Sequence, residues 1–228
     1  SSSSEPHGRE RELERLGEAY EAAKAERAPT LFLKGPSGAG KSFLVSAFCR
    51  KLGDQGGPLL VGKCSAGGST PYAPWIQIVD ALSQQLLVGG NARAEESGHK
   101  LRARLGNVAQ CLIDWVPGLR FILGEVPAIP DLGPRESQAR LSLALQRFLS
   151  ACNQRRRPLI VLVDDVQWSD TASRVLLEDL LASQEARKFL VIVTCQMPDA
   201  LGGLVDRIQE RGADPCWIEI GALDPESS

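Results

Sequence analysis

The chain predicts an α/β fold in three layers, with helices on both faces of a central, mostly parallel sheet. Three observations carry that expectation. The short runs PLIVLV (158–163) and KFLVIVTC (188–195) are almost wholly apolar, the composition of strands covered on both faces. They alternate with segments whose apolar residues recur at helical spacing, and such alternation implies parallel strands joined by right-handed crossovers. A glycine-rich stretch, GPSGAGKS (35–42), lies between a strand-like run and a helical one.

The elements follow in chain order. After a polar start, Leu13, Leu16, Tyr20 and Ala23 fall at helical spacing, and Pro29 ends the pattern. TLFLK (30–34) has strand composition. From Lys41 to Leu52 the apolar positions Leu44, Val45, Phe48 and Leu52 fit a helix, with Gly53 as the stop. LLVGKC (59–64) reads as a second strand, followed by the loop SAGGSTPYAP and a helix from Trp75 to Val88. GGNARAEESG (89–98) is polar and contains glycine, so it reads as a surface loop. Residues 100–135 hold one helical stretch and then a proline-punctuated segment, VPGLRFILGEVPAIPDLGP, that no periodicity resolves.

Leu141, Leu145, Phe148, Leu149 and Cys152 form a helical stripe leading to Arg155-Arg156-Arg157, a basic run placed to cap that helix's C-terminal end. The strand PLIVLVDD comes next, then a helix over 171–182 with Asp170 or Ser169 as its N-cap. The KFLVIVTC strand and a last one, CWIEIGAL (216–223), complete the sheet.

Composition narrows the class. At 228 residues, 43% hydrophobic and 24% charged, the chain can bury a sizeable core. A net charge of −2 and a pI near 5.8 leave no basic face for nucleic acid. No apolar stretch approaches bilayer-spanning length and the first thirty residues are not signal-like, so a cytoplasmic setting without membrane contact is expected. The six cysteines are widely spaced with no C-x-x-C pair and read as reduced core residues. His7 and His99 stand far apart in sequence, which argues against histidine-based catalysis or metal binding. The start SSSS, without methionine, and the stop at GALDPESS read as a piece of a longer polypeptide.

Gly35-Pro36-Ser37-Gly38-Ala39-Gly40-Lys41-Ser42 matches G-x-x-x-x-G-K-[ST] residue for residue, between a strand and a helix. Glycines let such a loop curl its N–H groups inward, and the helix N-terminus adds the positive end of its dipole. A phosphate fits there. Lys41 can then reach β- and γ-phosphates, while the Ser42 hydroxyl suits Mg2+, a hard cation that prefers oxygen.

Two adjacent carboxylates, Asp164 and Asp165, end the apolar run PLIVLV, and buried charge there calls for a cation. The C-terminal end of a neighbouring parallel strand is where open α/β sheets bind ligands. Asp164 is therefore assigned to Mg2+ or one of its waters, and Asp165 to orienting or deprotonating an attacking water.

Together these residues resemble the P-loop ATPases of the STAND class within the wider AAA+ group, the domain type of large bacterial transcription activators, multidomain nucleotide cyclases and some multidomain protein kinases. Gly8-Arg9-Glu10-Arg11-Glu12-Leu13 is similar to the G-R-E-x-E-L entry motif, PYAPW (71–75) to the segment after the second strand, and DDVQWSD (164–170) to D-D-x-Q-W-x-D. The resemblance implies a P-loop NTPase fold in which the LVIVTC strand lies between the phosphate-loop and Asp164 strands, bringing Thr194–Gln196 near the γ-phosphate. It places Arg9 and Glu10 near adenine and ribose; as helix-entry polar residues they have an equally good reading. Gln196 stands where relatives usually carry a phosphate-sensing arginine, and a neutral amide does not neutralise phosphate. Trp168 is expected as a packing anchor, and Tyr72 and Trp75 as core or surface packing residues.

The organisation expected is a polar entry segment over 1–28, the P-loop NTPase domain over 29–223 and the start of a helical lid at 224–228, the rest of that lid being absent. The function expected is an Mg-ATP-binding, slowly hydrolysing regulatory switch. Its partners would be ATP or ADP and the effector and sensor domains of the same polypeptide, with self-association also open. The alternatives are a nucleic-acid-associated AAA+ ATPase of the origin-recognition or loader kind, a scaffold that binds nucleotide without turnover, and a small-molecule phosphotransferase. No guanine-specifying N-K-x-D motif appears.

Overall fold

The computed structural model describes residues 8–67, 70–88, 91–128, 133–197, 201, 203–212 and 214–221. Five strands form one sheet: β1 (Thr30–Lys34), β2 (Leu59–Lys63), β3 (Ile160–Asp164), β4 (Leu190–Cys195) and β5 (Pro215–Glu219). Their order is β2-β3-β4-β1-β5 and every neighbouring pair is parallel. β4 therefore lies between β1 and β3, as the resemblance implies, and the fold is the three-layer α/β sandwich expected.

The alternation of side chains along a strand divides the core between two faces. On one face Leu31, Leu33, Ile160, Leu162, Leu190 and Ile192 pack with α1 (Glu10–Lys24) and α2 (Lys41–Leu52), through Leu16, Tyr20, Leu44, Val45 and Phe48. On the other, Phe32, Val161, Val163, Val191 and Val193 meet a larger helical layer. That layer contains α3 (Ala73–Val88), α4 (Asn91–Leu105), α5 (Ala109–Trp115), α6 (Arg120–Leu123), α7 (Pro134–Cys152), α8 (Thr171–Leu181) and α9 (Leu204–Glu210). None of these helices, among the described residues, is long and apolar enough to cross a membrane.

Several expectations need correction. Residues 91–98, expected as surface loop, belong to α4; residues 89–90 lie outside those described. Gly98 is not a loop signal but a close-packing residue, because a Cβ there would meet the carbonyl oxygen of Ile122 at the end of α6. The proline-punctuated segment, in which the sequence shows no period, contains a 3-10 turn at Pro117–Leu119 and then α6, which ends at Leu123; residues 129–132 lie outside those described. The last strand stops at Glu219, and residues 222–228, with the expected lid entry, lie outside the described residues.

The basic run does not cap α7. It forms a turn closed by a bridge between Gln154 and Arg157. From there Arg155 Nε donates to the Lys24 carbonyl, in the last turn of α1, at 3.4 Å, and Arg157 Nε donates to the Gly56 carbonyl at 2.8 Å. Trp168 is no packing anchor either, since half of its surface is exposed. Trp75 takes that role, fully buried with its indole N–H donating to the Ser173 carbonyl at 3.0 Å, while Tyr72 stacks at a tilt on Trp115. Asp170 is the N-cap of α8, its Oδ1 accepting the Ser173 amide at 2.8 Å.

Candidate functional site at the C-terminal strand ends

Because all strands run parallel, their C-terminal ends share one rim. The register sets Val163 beside Val193 and Lys34 beside Cys195, which puts the next residues, Asp164, Thr194 and Gly35, on that rim. The loop 35–40 leaves β1 there. Gly35 has no room for a side chain, since a Cβ would meet the Ile220 carbonyl oxygen, and its amide donates to Cys195 O at 3.3 Å. Gly38 and Gly40 hold positive φ of 78° and 83°, which a residue with Cβ adopts only at a cost. Pro36 O accepts the Ala39 amide at 3.2 Å, Gly40 O accepts that of Leu44 at 2.8 Å, and Ser37 lies exposed at the bend.

Lys41 opens α2 and is 6% exposed. Its ammonium curls back into the loop and donates to the carbonyls of Gly35 at 2.8 Å and Pro36 at 2.9 Å. Those oxygens are neutral. The buried charge is thus hydrogen-bonded but not neutralised by them, beside the N-terminus of a twelve-residue helix whose first amides lack intrahelical acceptors. Such a donor set suits an anion.

The acid side of the site is equally specific. The Ser42 hydroxyl lies 2.7 and 2.8 Å from the two oxygens of Asp164, so the loop and β3 meet directly. Thr194 Oγ1 donates to Asp164 Oδ1 at 2.6 Å and accepts the Asp165 amide at 2.8 Å. Asp165 adopts the left-handed conformation, φ 57° and ψ 47°, which turns the chain off the strand axis. Gln167 Nε2 donates to Asp165 Oδ1 at 3.2 Å, while Gln167 Oε1 is buried without a partner. Burial, with Asp170 and Asp164 nearby, pushes the Cys64 thiol up to about 12, and burial raises Cys195 to about 11. All six cysteines are free.

Gly35–Ser42, Asp164 and Asp165 are thus brought together on one rim. Gln196 follows β4 directly and is half-buried. Arg9 is not free to reach outward: it is 8% exposed, its Nη1 pairs with Glu12 at 3.1 Å and its Nη2 donates to Gly221 O at 2.6 Å. That clamp ties the start of α1 to the chain just past Ile220, the wall behind Gly35. Glu10 accepts the amide of Gly8 at 3.3 Å. Sequence reasoning missed Arg174, which binds the turn after Asp165; an arginine in an amphipathic helix carries no signal of its own.

A family model for the AAA ATPase domain matches residues 5–193. The chain belongs to this family. The AAA ATPase domain here is 26% identical over 181 residues to hybrid signal transduction histidine kinase G of Dictyostelium discoideum, covering 79% of this chain and 5% of that protein. It is 27% identical over 225 residues to an uncharacterized protein of Rhizobium meliloti (strain 1021), covering 96% and 21%. The chain therefore spans about a fifth or less of the length of these curated relatives.

Among solved structures it is similar to the Walker-type ATPase of Pyrococcus abyssi, at 17% identity and a TM-score of 0.47, covering 96% of this chain and 55% of that one. It is also similar to a chain of Drosophila ORC bound to DNA, at 11% identity and a TM-score of 0.45, covering 94% of each. Membership of the family implies that this AAA ATPase domain binds a nucleotide.

Proposed function

We propose that this AAA ATPase domain binds Mg-ATP at the rim of its sheet, hydrolyses it slowly, and serves as a regulatory switch within a larger signalling or transcription-control protein. The observation that carries the reading is the meeting of a buried, incompletely neutralised Lys41 with the Ser42–Asp164 contact at one point. The unit proposed for this is 29–223, preceded by the entry segment 1–28 and followed by a lid beginning at 224–228. The similarity to a histidine kinase of signal transduction supports the switch role.

The residues fit a magnesium ion bound through few protein oxygens. Among the described residues no group of three or more His, Cys, Asp or Glu could hold a metal alone, and Mg2+ usually takes one or two protein ligands plus phosphate oxygens and water. Ser42 Oγ and an Asp164 oxygen would be those ligands. When bound, the ion offsets phosphate charge in the transition state.

The loop amides and Lys41 bind and orient the phosphates, with Gly35, Pro36, Ser37, Gly38, Ala39 and Gly40 supplying the backbone of the cradle. Asp165 accepts a hydrogen bond from the attacking water and holds it in line. Gln196 can donate a hydrogen bond to the γ-phosphate but leaves its charge in place, which supports slow turnover. Arg9 serves this site by fixing the wall behind Gly35.

Calorimetry and steady-state ATPase assays test the reading. Lys41→Ala should abolish detectable ATP binding while circular dichroism stays that of the wild type. Asp165→Asn should keep binding and lose turnover, and asparagine tolerates the left-handed backbone at that position. Equal hydrolysis by wild type and Asp165→Asn would remove the role given to Asp165. No heat with any nucleoside triphosphate would remove the proposal itself.

A further inference from the structure

Asp165 pays a conformational cost for its orientation, so its left-handed backbone persists only where the surroundings over-determine it. Thr194 fixes the front of the turn by accepting the Asp165 amide. The back of the turn is held differently. Trp168 N donates to Asp165 O at 2.9 Å and Ser169 N to Val166 O at 3.0 Å, local bonds that a short 3-10 turn makes without outside help.

One side chain from α8 grips this turn. Arg174 Nη2 donates to Gln167 O at 3.1 Å and its Nε to Ser169 Oγ at 3.0 Å. Its Nη1 reaches Leu201 O, in the segment after β4, at 3.5 Å. Three acceptors on two segments thus meet one planar guanidinium. Gln167, whose carbonyl is held in this way, is also the residue whose amide donates to the Asp165 carboxylate. The chain of contacts runs from α8, through the Gln167 backbone, to the carboxylate assigned to the attacking water.

We propose that Arg174 is a positioning residue for the Asp165 carboxylate, acting through Gln167 and holding the turn 165–169 against Leu201. This rests on the ATP-hydrolysing reading of the site. Among the described residues Arg174 donates no hydrogen bond to the phosphate loop, so its role belongs to turnover and not to nucleotide affinity. Lysine cannot replace it, since a single ammonium lacks the fork that spans three separated acceptors.

The experiment compares the full chain with its Arg174→Gln and Arg174→Lys variants in two measurements. In steady-state ATPase assays, both variants should lose about ten- to a hundred-fold in kcat, the scale of a small misplacement at a reacting centre, with KM and the calorimetric affinity for ATP within about two-fold of wild type.

In amide hydrogen exchange, Asp165, Trp168 and Ser169 should exchange faster in Arg174→Gln, while Leu44, behind the phosphate loop, keeps its wild-type rate. Unchanged exchange at the three turn amides, or a loss that appears in KM alone, overturns the proposal. A wild-type chain that binds no nucleotide defeats the reading under "Proposed function" instead, and the exchange comparison still decides the grip of Arg174 on the turn.

Discussion

Thr194, with no exposed surface, shares its hydroxyl between both acids: it donates to Asp164 at 2.6 Å and accepts from the Asp165 amide at 2.8 Å. Valine has nearly the same shape and no hydroxyl. In Thr194→Val the packing survives, but the Asp165 amide loses its acceptor and Asp164 loses a donor. An unsatisfied buried polar group costs about 1–3 kcal/mol. For a chain of this size each kcal/mol lowers Tm by about 2–4 °C. A fall of roughly 2–12 °C in a calorimetric scan is therefore expected from those two scales. Thr194→Ser, which keeps the hydroxyl, should recover most of it, and equal melting of Val and Thr forms would show that the bridge contributes nothing.

At the scale of elements, two helical glycines make opposite predictions. Gly17 in α1 has nothing within 4 Å of a built Cβ, whereas the Cβ of Gly98 in α4 would strike the Ile122 carbonyl. Alanine is the better helix former by about 1 kcal/mol, so Gly17→Ala should stabilise by up to that amount. At Gly98 the obstacle is backbone, and overpacking of this kind costs about 1–3 kcal/mol, so Gly98→Ala should destabilise despite its propensity. Urea unfolding midpoints of the two variants check both signs; a stabilised Gly98→Ala would mean that α4 and α6 separate freely.

The same contrast explains what was legible in the sequence. TLFLK and IVLVD could be read as strands because burial on both faces leaves a local compositional mark. The phosphate loop could be read because its residues are contiguous. Gly98 misled because the need for a small residue came from α6, and α9 went unread because seven residues give too few turns for a period to emerge. The exposure of Trp168 and the commitments of Arg9 and Arg174 depend on partners brought near only by the fold.

At the scale of the whole molecule, the candidate site has no existence outside the folded sheet. Its parts come from residues 35–42, 164–165 and 194, and they meet only because β4 lies between β1 and β3. The unfolded chain retains neither the loop's curvature nor the Ser42–Asp164 contact, so nucleotide should bind the native state alone. Linkage then fixes the size of the effect: ligand at a hundred times its Kd adds about 2.7 kcal/mol to stability. At about 2–4 °C per kcal/mol, Mg-ATP should raise Tm by roughly 5–11 °C. Chelating the magnesium with EDTA should remove most of that rise, because the charge between phosphates and Asp164 is then uncompensated. Lys41→Ala should show no rise at all. Differential scanning fluorimetry with ATP alone, Mg2+ alone and both together separates these cases, and a shift of the same size with and without Mg2+ would exclude Ser42 and Asp164 as its ligands.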